Sequence, residues 1–332
     1  MTRTTARGSV GDVRPHDHEE HPMTPRSVPF TDRLSRRGFL IGAAATGLLA
    51  ACGSDSTSDP ALGSPDDIAD PTADDGSAAA STYTIVQRFP QNVQEPGPVR
   101  LPMSLGTAQG QLVQDGPDTL GAQVTDVDGA PLGERISAVR RDVEPGPYYA
   151  FRTEIDTPGV YYLVVDGGPA QGAAFQIMEP GTVTVPGPGQ PLPPFDTPTF
   201  DDARGVDPVC TRTPEPCPFH DVTLAEAIES GAESGKGVVY LVGTPAFCQT
   251  GTCAPALESI IDLQSEYVDR FTFVHAEVYT DNTATTPAPA VDAAGLTYEP
   301  ALFITDATGT VVERLDAVWN ETELAEVLDA VS

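Results

Sequence analysis

The sequence predicts a multidomain chain, an all-β sandwich followed by an α/β domain, on three observations. Between residues 82 and 180, short runs of β-forming residues alternate with Gly, Pro and Asp turn signals, and no segment sustains a 3.6-residue period. From residue 208 onward, apolar strand-like runs alternate with amphipathic helical stripes. Residues 181–207, between them, are rich in Pro and Gly and have the composition of an extended, semi-stiff linker.

The first element in chain order is an address. In 35-SRRGFLIGAAATGLLAAC-52, an Arg36-Arg37 pair precedes an apolar stretch from Ile41 to Ala51. That stretch is short of the ~20 residues a permanent span needs and fits a signal h-region. It closes on Leu49-Ala50-Ala51-Cys52. These motifs resemble a twin-arginine export signal ending in a bacterial lipobox. The resemblance implies that residues 1–51 are a cleaved signal peptide and that the twin-arginine translocase is the export partner. It also implies that Cys52 is the lipidation site and that the mature protein is lipid-anchored on the extracytoplasmic face of the cell membrane. The run 16-HDHEEH-21 has metal-ligand residue types but falls in the segment to be discarded, and both Met1 and Met23 stand as candidate starts. Residues 52–81 are Ser, Asp, Gly, Ala and Pro with few large apolar groups, a composition that stays disordered and reads as a tether. Two acyl chains would supply the anchor, since one binds only marginally.

The formal net charge is −30, and the single lysine is Lys236. Nucleic acid is excluded as a partner, because phosphate neutralisation needs clustered Lys and Arg. Strong acidity also disfavours adhesion to anionic headgroups, which suits an outward tether.

In the first folded part, the strand candidates are 83-YTIVQRF-89, 121-GAQVTDV-127, 135-RISAVR-140, 148-YYAFRTEI-155, 160-VYYLVVD-166 and 173-AAFQIM-178. The stretch 157-TPGVYYLVV-165 resembles the late strand of immunoglobulin-like domains, which implies an immunoglobulin-like sandwich. The region has no cysteine, no histidine and no carboxylate cluster of chemical appearance, so a spacer or protein-binding module is expected.

In the second part, Thr223 and Glu226 form a capping-box pattern at the head of a short helix. The run 238-VVYLV-242 is continuously apolar, as a buried parallel strand is. Then come the cysteine stretch 244-TPAFCQTGTCAP-255, a helical stripe through Leu257, Ile260, Ile261, Gln264 and Val268, and a strand at 271-FTFVHAEVY-279. A loop with Pro287 and Pro289 leads to 300-PALFIT-305 and 310-TVVERL-315, and Asn320 caps a last helix. This order, with Phe247 before the first cysteine and Glu299-Pro300 before the third strand, resembles the thioredoxin-like family. The resemblance implies an α/β thioredoxin-like domain over residues 208–332, with Pro300, Glu299 and Phe247 at the substrate-docking surface.

Cysteine chemistry gives the functional expectation. A cysteine at a helix N-terminus meets unpaired N–H groups and the positive dipole end, which favour thiolate over thiol. Cys248 is then the attacking nucleophile and Cys253 the resolver of the mixed disulfide. The family's pair is separated by two residues, whereas Gln249-Thr250-Gly251-Thr252 intervene here. The strand before the pair carries no carboxylate, leaving Glu277 and Glu299 as candidate proton relays. Cys210 and Cys217 sit in a proline-rich lead-in and are expected as a structural disulfide, since an even cysteine count in an exported chain favours disulfides. The leading expectation is a membrane-tethered thiol–disulfide exchange protein acting on protein or small thiol/disulfide substrates. The alternatives are a non-catalytic stapled scaffold and a copper-handling protein of the Sco type, for which His220 and His275 are the available histidines. His275 alternates with Phe273 and Glu277 on a strand and reads as a satisfied core histidine. No metal and no cofactor is assigned.

Overall fold

The computed structural model describes residues 81–331; the export signal, Cys52 and nearly all of the tether lie outside the described residues. Among the described residues no helix is long and apolar enough to cross a membrane.

The N-terminal lobe has seven strands: β1 (Thr84–Gln87), β2 (Gly97–Gly106), β3 (Thr119–Thr125), β4 (Pro131–Arg141), β5 (Tyr148–Ile155), β6 (Gly159–Val165) and β7 (Ala173–Ile177). They form one antiparallel sheet in the order β1-β2-β5-β4-β3-β6-β7. β4 is the reason the sheet is single. Pro131 to Val139 pair with β3, and Arg140 and Arg141 then pair with Tyr149 and Tyr148 of β5. A register shift between Ala122 and Val124 disrupts the ladder in β3, as bulges do when a sheet curls. The sheet edges then approach each other. Tyr83 N–H donates to the Gly167 carbonyl at 2.9 Å and Met178 N–H to that of Gln94 at 2.8 Å, leaving a nearly closed barrel. Its interior is filled at period two by Val99, Leu101, Met103 and Leu105 of β2, against Phe151, Leu163 and Phe175.

The C-terminal lobe contains α1 (Leu224–Ser234), β8 (Gly237–Val242), α2 (Cys253–Tyr267), β9 (Phe271–Ala276), α3 (Pro289–Ala293), β10 (Ala301–Thr305), β11 (Val311–Asp316) and α4 (Glu321–Ala330). Its sheet is ordered β11-β10-β8-β9. Only β8 and β9 are parallel; β10 runs antiparallel to both β8 and β11. Leu257 and Ile260 of α2 and Leu324 and Leu328 of α4 cover one face of this sheet. Leu224 of α1 and Ala290 of α3 pack on the other. The expected capping box is present at α1, where the Thr223 hydroxyl accepts from Glu226 N–H and the Glu226 carboxylate from Thr223 N–H.

The expected fold class, an immunoglobulin-like sandwich followed by an α/β thioredoxin-like domain, is therefore corrected. Strands hold 33% of the described chain and helices 16%, and the largest element is one barrel-like sheet rather than two packed sheets. The sandwich expectation ended each strand at its turn signal, but β4 runs eleven residues and joins what would be two sheets. The α/β expectation reads 238-VVYLV-242 as a buried parallel strand. Its uniform burial comes from cover on both faces, while one of its two neighbours is antiparallel.

Residues 181–207 pack along the C-terminal sheet. Gly189 N–H donates to the Val311 carbonyl at 2.8 Å, Val311 N–H to that of Gln190 at 2.9 Å, and Leu192 N–H to that of Gly309 at 2.9 Å. Val185 and Leu192 are buried in the same cluster as Tyr240 and Phe303.

The lobes meet through buried charge. Arg100 of β2 forks onto both Glu323 oxygens of α4 at 2.8 and 2.7 Å and donates to the Val318 carbonyl at 2.6 Å. Tyr148 O–H donates to Glu323 at 2.6 Å and accepts from Asn320 N–H at 3.0 Å. Arg314 of β11 donates to the Val185, Pro186 and Val93 carbonyls while held by Asp316. Burial alone would push the Glu323 carboxyl up, but Arg100, with Tyr148 and Arg152, holds it down to about 2. Removing one partner of such a pair leaves an uncompensated buried charge. We therefore expect Arg100→Ala to lower stability by about 3–5 kcal/mol, read as a shifted urea midpoint at unchanged slope. Because the carboxyl lies below its ordinary 4.5, the stability it contributes is complete above pH 4.5. That stability is lost as the pH falls toward 2, and the acid limb of an unfolding-versus-pH curve checks this.

Candidate functional site

β8 delivers the chain to the Cys248 loop. Thr244 is buried, the loop then emerges with Cys248 half-buried, and Cys253 at the first position of α2 is fully buried. Four intervening residues require the chain to fold back. Gly251 does this with φ +70°, in the left-handed region glycine enters at little cost, and its N–H donates to the Cys248 carbonyl at 3.2 Å.

The head of α2 lacks an ordinary cap: Thr252 makes no side-chain cap bond. Instead Cys253 N–H donates to Cys248 Sγ at 3.3 Å. The sulfur takes the acceptor place that a Ser or Asp oxygen usually fills, at the positive end of the helix dipole. Two hydroxyls complete its surroundings. Thr250 Oγ1 lies 3.3 Å from the sulfur and 2.7 Å from Thr252 Oγ1, which is itself 4.0 Å from the sulfur. The Cys253 thiol, with Thr250 and the Cys253 and Thr252 amides, draws the Cys248 thiol from its ordinary 9.0 down to about 4, against its partial burial. Burial, and then the negative charge on Cys248, push the Cys253 thiol the other way. One sulfur is anionic at neutral pH, and its neighbour keeps its proton.

Glu299 lies within electrostatic reach of both sulfurs. Burial and the Cys248 charge push its carboxyl up, while the Gln249 backbone N–H pulls it down. The Glu299-Pro300 peptide is cis, and the buried Pro300 packs beside Gly243, where β8 ends. Phe247 is half-buried and meets Tyr279 edge-on at 6.3 Å between ring centroids. A groove of about 420 Å³ opens beside this loop. Thr250, Tyr298 and Glu299 line one wall, and Arg88, Phe89 and Leu112 of the N-terminal lobe line the other. A second groove of about 480 Å³, lined by Arg152, Glu313 and Glu326 among others, has no cysteine or histidine in its walls.

The structure thus brings Cys248, Cys253 and Glu299 together, with Pro300 at the base of the loop. All four described cysteines are free thiols. Cys210 and Cys217 lie side by side, Cys217 N–H donating to Cys210 Sγ at 3.3 Å, in a buried cluster with His220 and His275. Sequence reasoning named all four of these residues without joining them. The Cys-x6-Cys-x2-His spacing over 210–220 was the available signal; the strand that adds His275 was not legible as its partner.

No protein-family model matches this chain, and a search of curated proteins finds no significant relative.

The asymmetry of the pair gives a direct expectation. Brief iodoacetamide treatment of the reduced protein should label Cys248 and spare Cys253, as read by peptide mass spectrometry. Thiolate is the reactive form, so the labelling rate should stay level from neutral pH down to about pH 5 and fall through pH 4. A rate that still rises steeply between pH 7 and 9 would refute the assignment.

Proposed function

We propose that this chain is a membrane-tethered, extracytoplasmic thiol–disulfide exchange protein that works through Cys248 and Cys253. The observation that carries the reading is the hydrogen bond from Cys253 N–H to Cys248 Sγ, with the Cys253 thiol buried alongside. It supports a half-buried, anionic attacker and a fully buried resolver. The motifs of residues 35–52 support the export and lipid-anchor part of the proposal.

In the reducing direction, the Cys248 thiolate attacks one sulfur of a substrate disulfide. The substrate S–S bond breaks, a mixed disulfide forms at Cys248, and the first substrate sulfur leaves as thiolate. Cys253 then loses its proton and attacks Cys248 Sγ. The mixed disulfide breaks, the second substrate sulfur leaves, and a Cys248–Cys253 disulfide remains. Two electrons have passed to the substrate, and the Cys253 proton ends on a leaving thiolate. The oxidising direction is the same path reversed. Glu299, acting on both sulfurs, is the group positioned to accept and return that proton. The groove along Thr250 and Glu299 gives an extended substrate a place to lie.

The test is reduction of insulin by the full chain with dithiothreitol as electron source. Wild type should accelerate precipitation of the insulin B chain, and Cys248→Ser should abolish the effect. Cys253→Ser should accumulate mixed disulfides at Cys248, visible on non-reducing gels after an acid quench. A Cys248→Ser variant as active as wild type would overturn the proposal. Glu299→Gln should slow resolution of the mixed disulfide more than its formation, in stopped-flow measurements of the two phases.

A further inference from the structure

A second cluster stands apart from the exchange pair, and the exchange reading makes no use of it. Cys210, Cys217 and His220 come from the loop before α1, and His275 comes from β9. Each offers one ligand atom, and all four atoms lie within 4.8 Å of one another. The exposures are 5% for Cys210 and 0% for the other three, so the cluster is sealed from bulk solvent.

The spacings approach those of a coordination shell, and a metal would draw the four atoms into it by shifts of a few tenths of an ångström to about one. His275 Nδ1 lies 3.8 Å from Cys210 Sγ, 3.3 Å from Cys217 Sγ and 3.1 Å from His220 Nε2. A tetrahedral zinc with bonds of about 2.3 Å to sulfur and about 2.0–2.1 Å to nitrogen has ligand–ligand edges of roughly 3.3–3.8 Å. The tautomer of His275 also fits. Its Nε2 lies 3.0 Å from the Gly243 carbonyl, which can only accept, so the proton sits on Nε2 and the Nδ1 lone pair points into the cluster. Such an outer carbonyl is the usual device for orienting a histidine ligand. Cys217 N–H donates to Cys210 Sγ at 3.3 Å, a bond that favours thiolate there.

The loop is also fastened as a ligand loop must be. His275 N–H donates to the Phe219 carbonyl at 3.0 Å, and Arg212 forks onto Glu258 of α2 at 2.7 and 3.0 Å. Thr211 donates from N–H and hydroxyl to Glu277 at 2.6 and 2.9 Å. A disulfide between Cys210 and Cys217 would use two of the four converging atoms and leave the two imidazoles to each other.

We propose that Cys210, Cys217, His220 and His275 form a structural zinc site. Two thiolates offset the dication, so the loaded cluster is electrically neutral, which suits a fully buried site. Two thiol protons are released on loading. Four protein ligands leave no open position, so the ion holds the 208–221 loop to β9 and does no chemistry. The site is independent of the exchange reading, and either can fail alone.

The full chain purified under reducing conditions should carry about one zinc per molecule by inductively coupled plasma mass spectrometry. Cobalt substitution should give the visible bands of tetrahedral Co²⁺ and a near-ultraviolet thiolate charge-transfer band. Cys210→Ser and His275→Ala should lose the zinc, whereas Cys248→Ser should keep it. The wild-type cobalt spectrum needs no variant, so misfolding of a ligand mutant does not obscure the result. Copper recovered in place of zinc, absence of the cobalt bands, or a Cys210–Cys217 disulfide in the metal-free purified protein would each overturn the assignment.

Discussion

The architecture depends on a guanidinium and a carboxylate that see almost no water. Arg100 leaves β2 of the barrel-like lobe and reaches Glu323 in the first turn of α4, where Asn320 and Tyr148 close the polar shell. An isolated charge in that position would be prohibitively costly, so each group is tolerable only while the other is docked. The two groups therefore hold β2 of one lobe and α4 of the other in a single hydrogen-bonded arrangement. Arg314 does the same at the opposite edge, tying β11 to backbone carbonyls of residues 93, 185 and 186. Among the described residues Arg100 and Arg314 are the two buried arginines, and each meets a buried carboxylate and backbone carbonyls.

The two sulfur pairs share a loop scaffold but differ in physical setting. At the head of α2, one sulfur is exposed to amide and hydroxyl donors while its mate is sealed under the helix; that difference in solvation separates their acidities. Around His275, all four donor atoms are sealed alike, and convergence rather than asymmetry is the organising feature. Thr211 links the settings. Its hydroxyl donates to Glu277 and accepts from Ala246 N–H at 3.1 Å, in the loop that carries Cys248. A loop fixed against β9 therefore fixes the start of the Cys248 loop as well.

Much of this was legible in the residues, and the exceptions have physical causes. The capping box at Thr223 and the Asn320 cap follow from local hydrogen bonding and are found where they were read. β2 escaped notice because Pro98 and Pro102 interrupt it; proline lacks a donor, yet the Pro102 carbonyl still accepts from Arg88 N–H. The joining of two sheets through β4, and the mixed pairing of β8, depend on which neighbour a strand finds, which no local pattern encodes. Cys248 and Cys253 could be picked out because a helix N-terminus is visible in sequence. The four-ligand cluster required knowing that β9 passes under the 208–221 loop. Arg100 looked like any strand arginine; its burial is set by a partner more than two hundred residues away.

The groove beside Cys248 has one wall from each lobe, and those lobes are clamped by buried charge. The contacts of Arg100 and Arg314 thus join the two walls across the body of the protein. On the proposed exchange reading, a substrate segment lying in this slot touches both halves of the molecule at once.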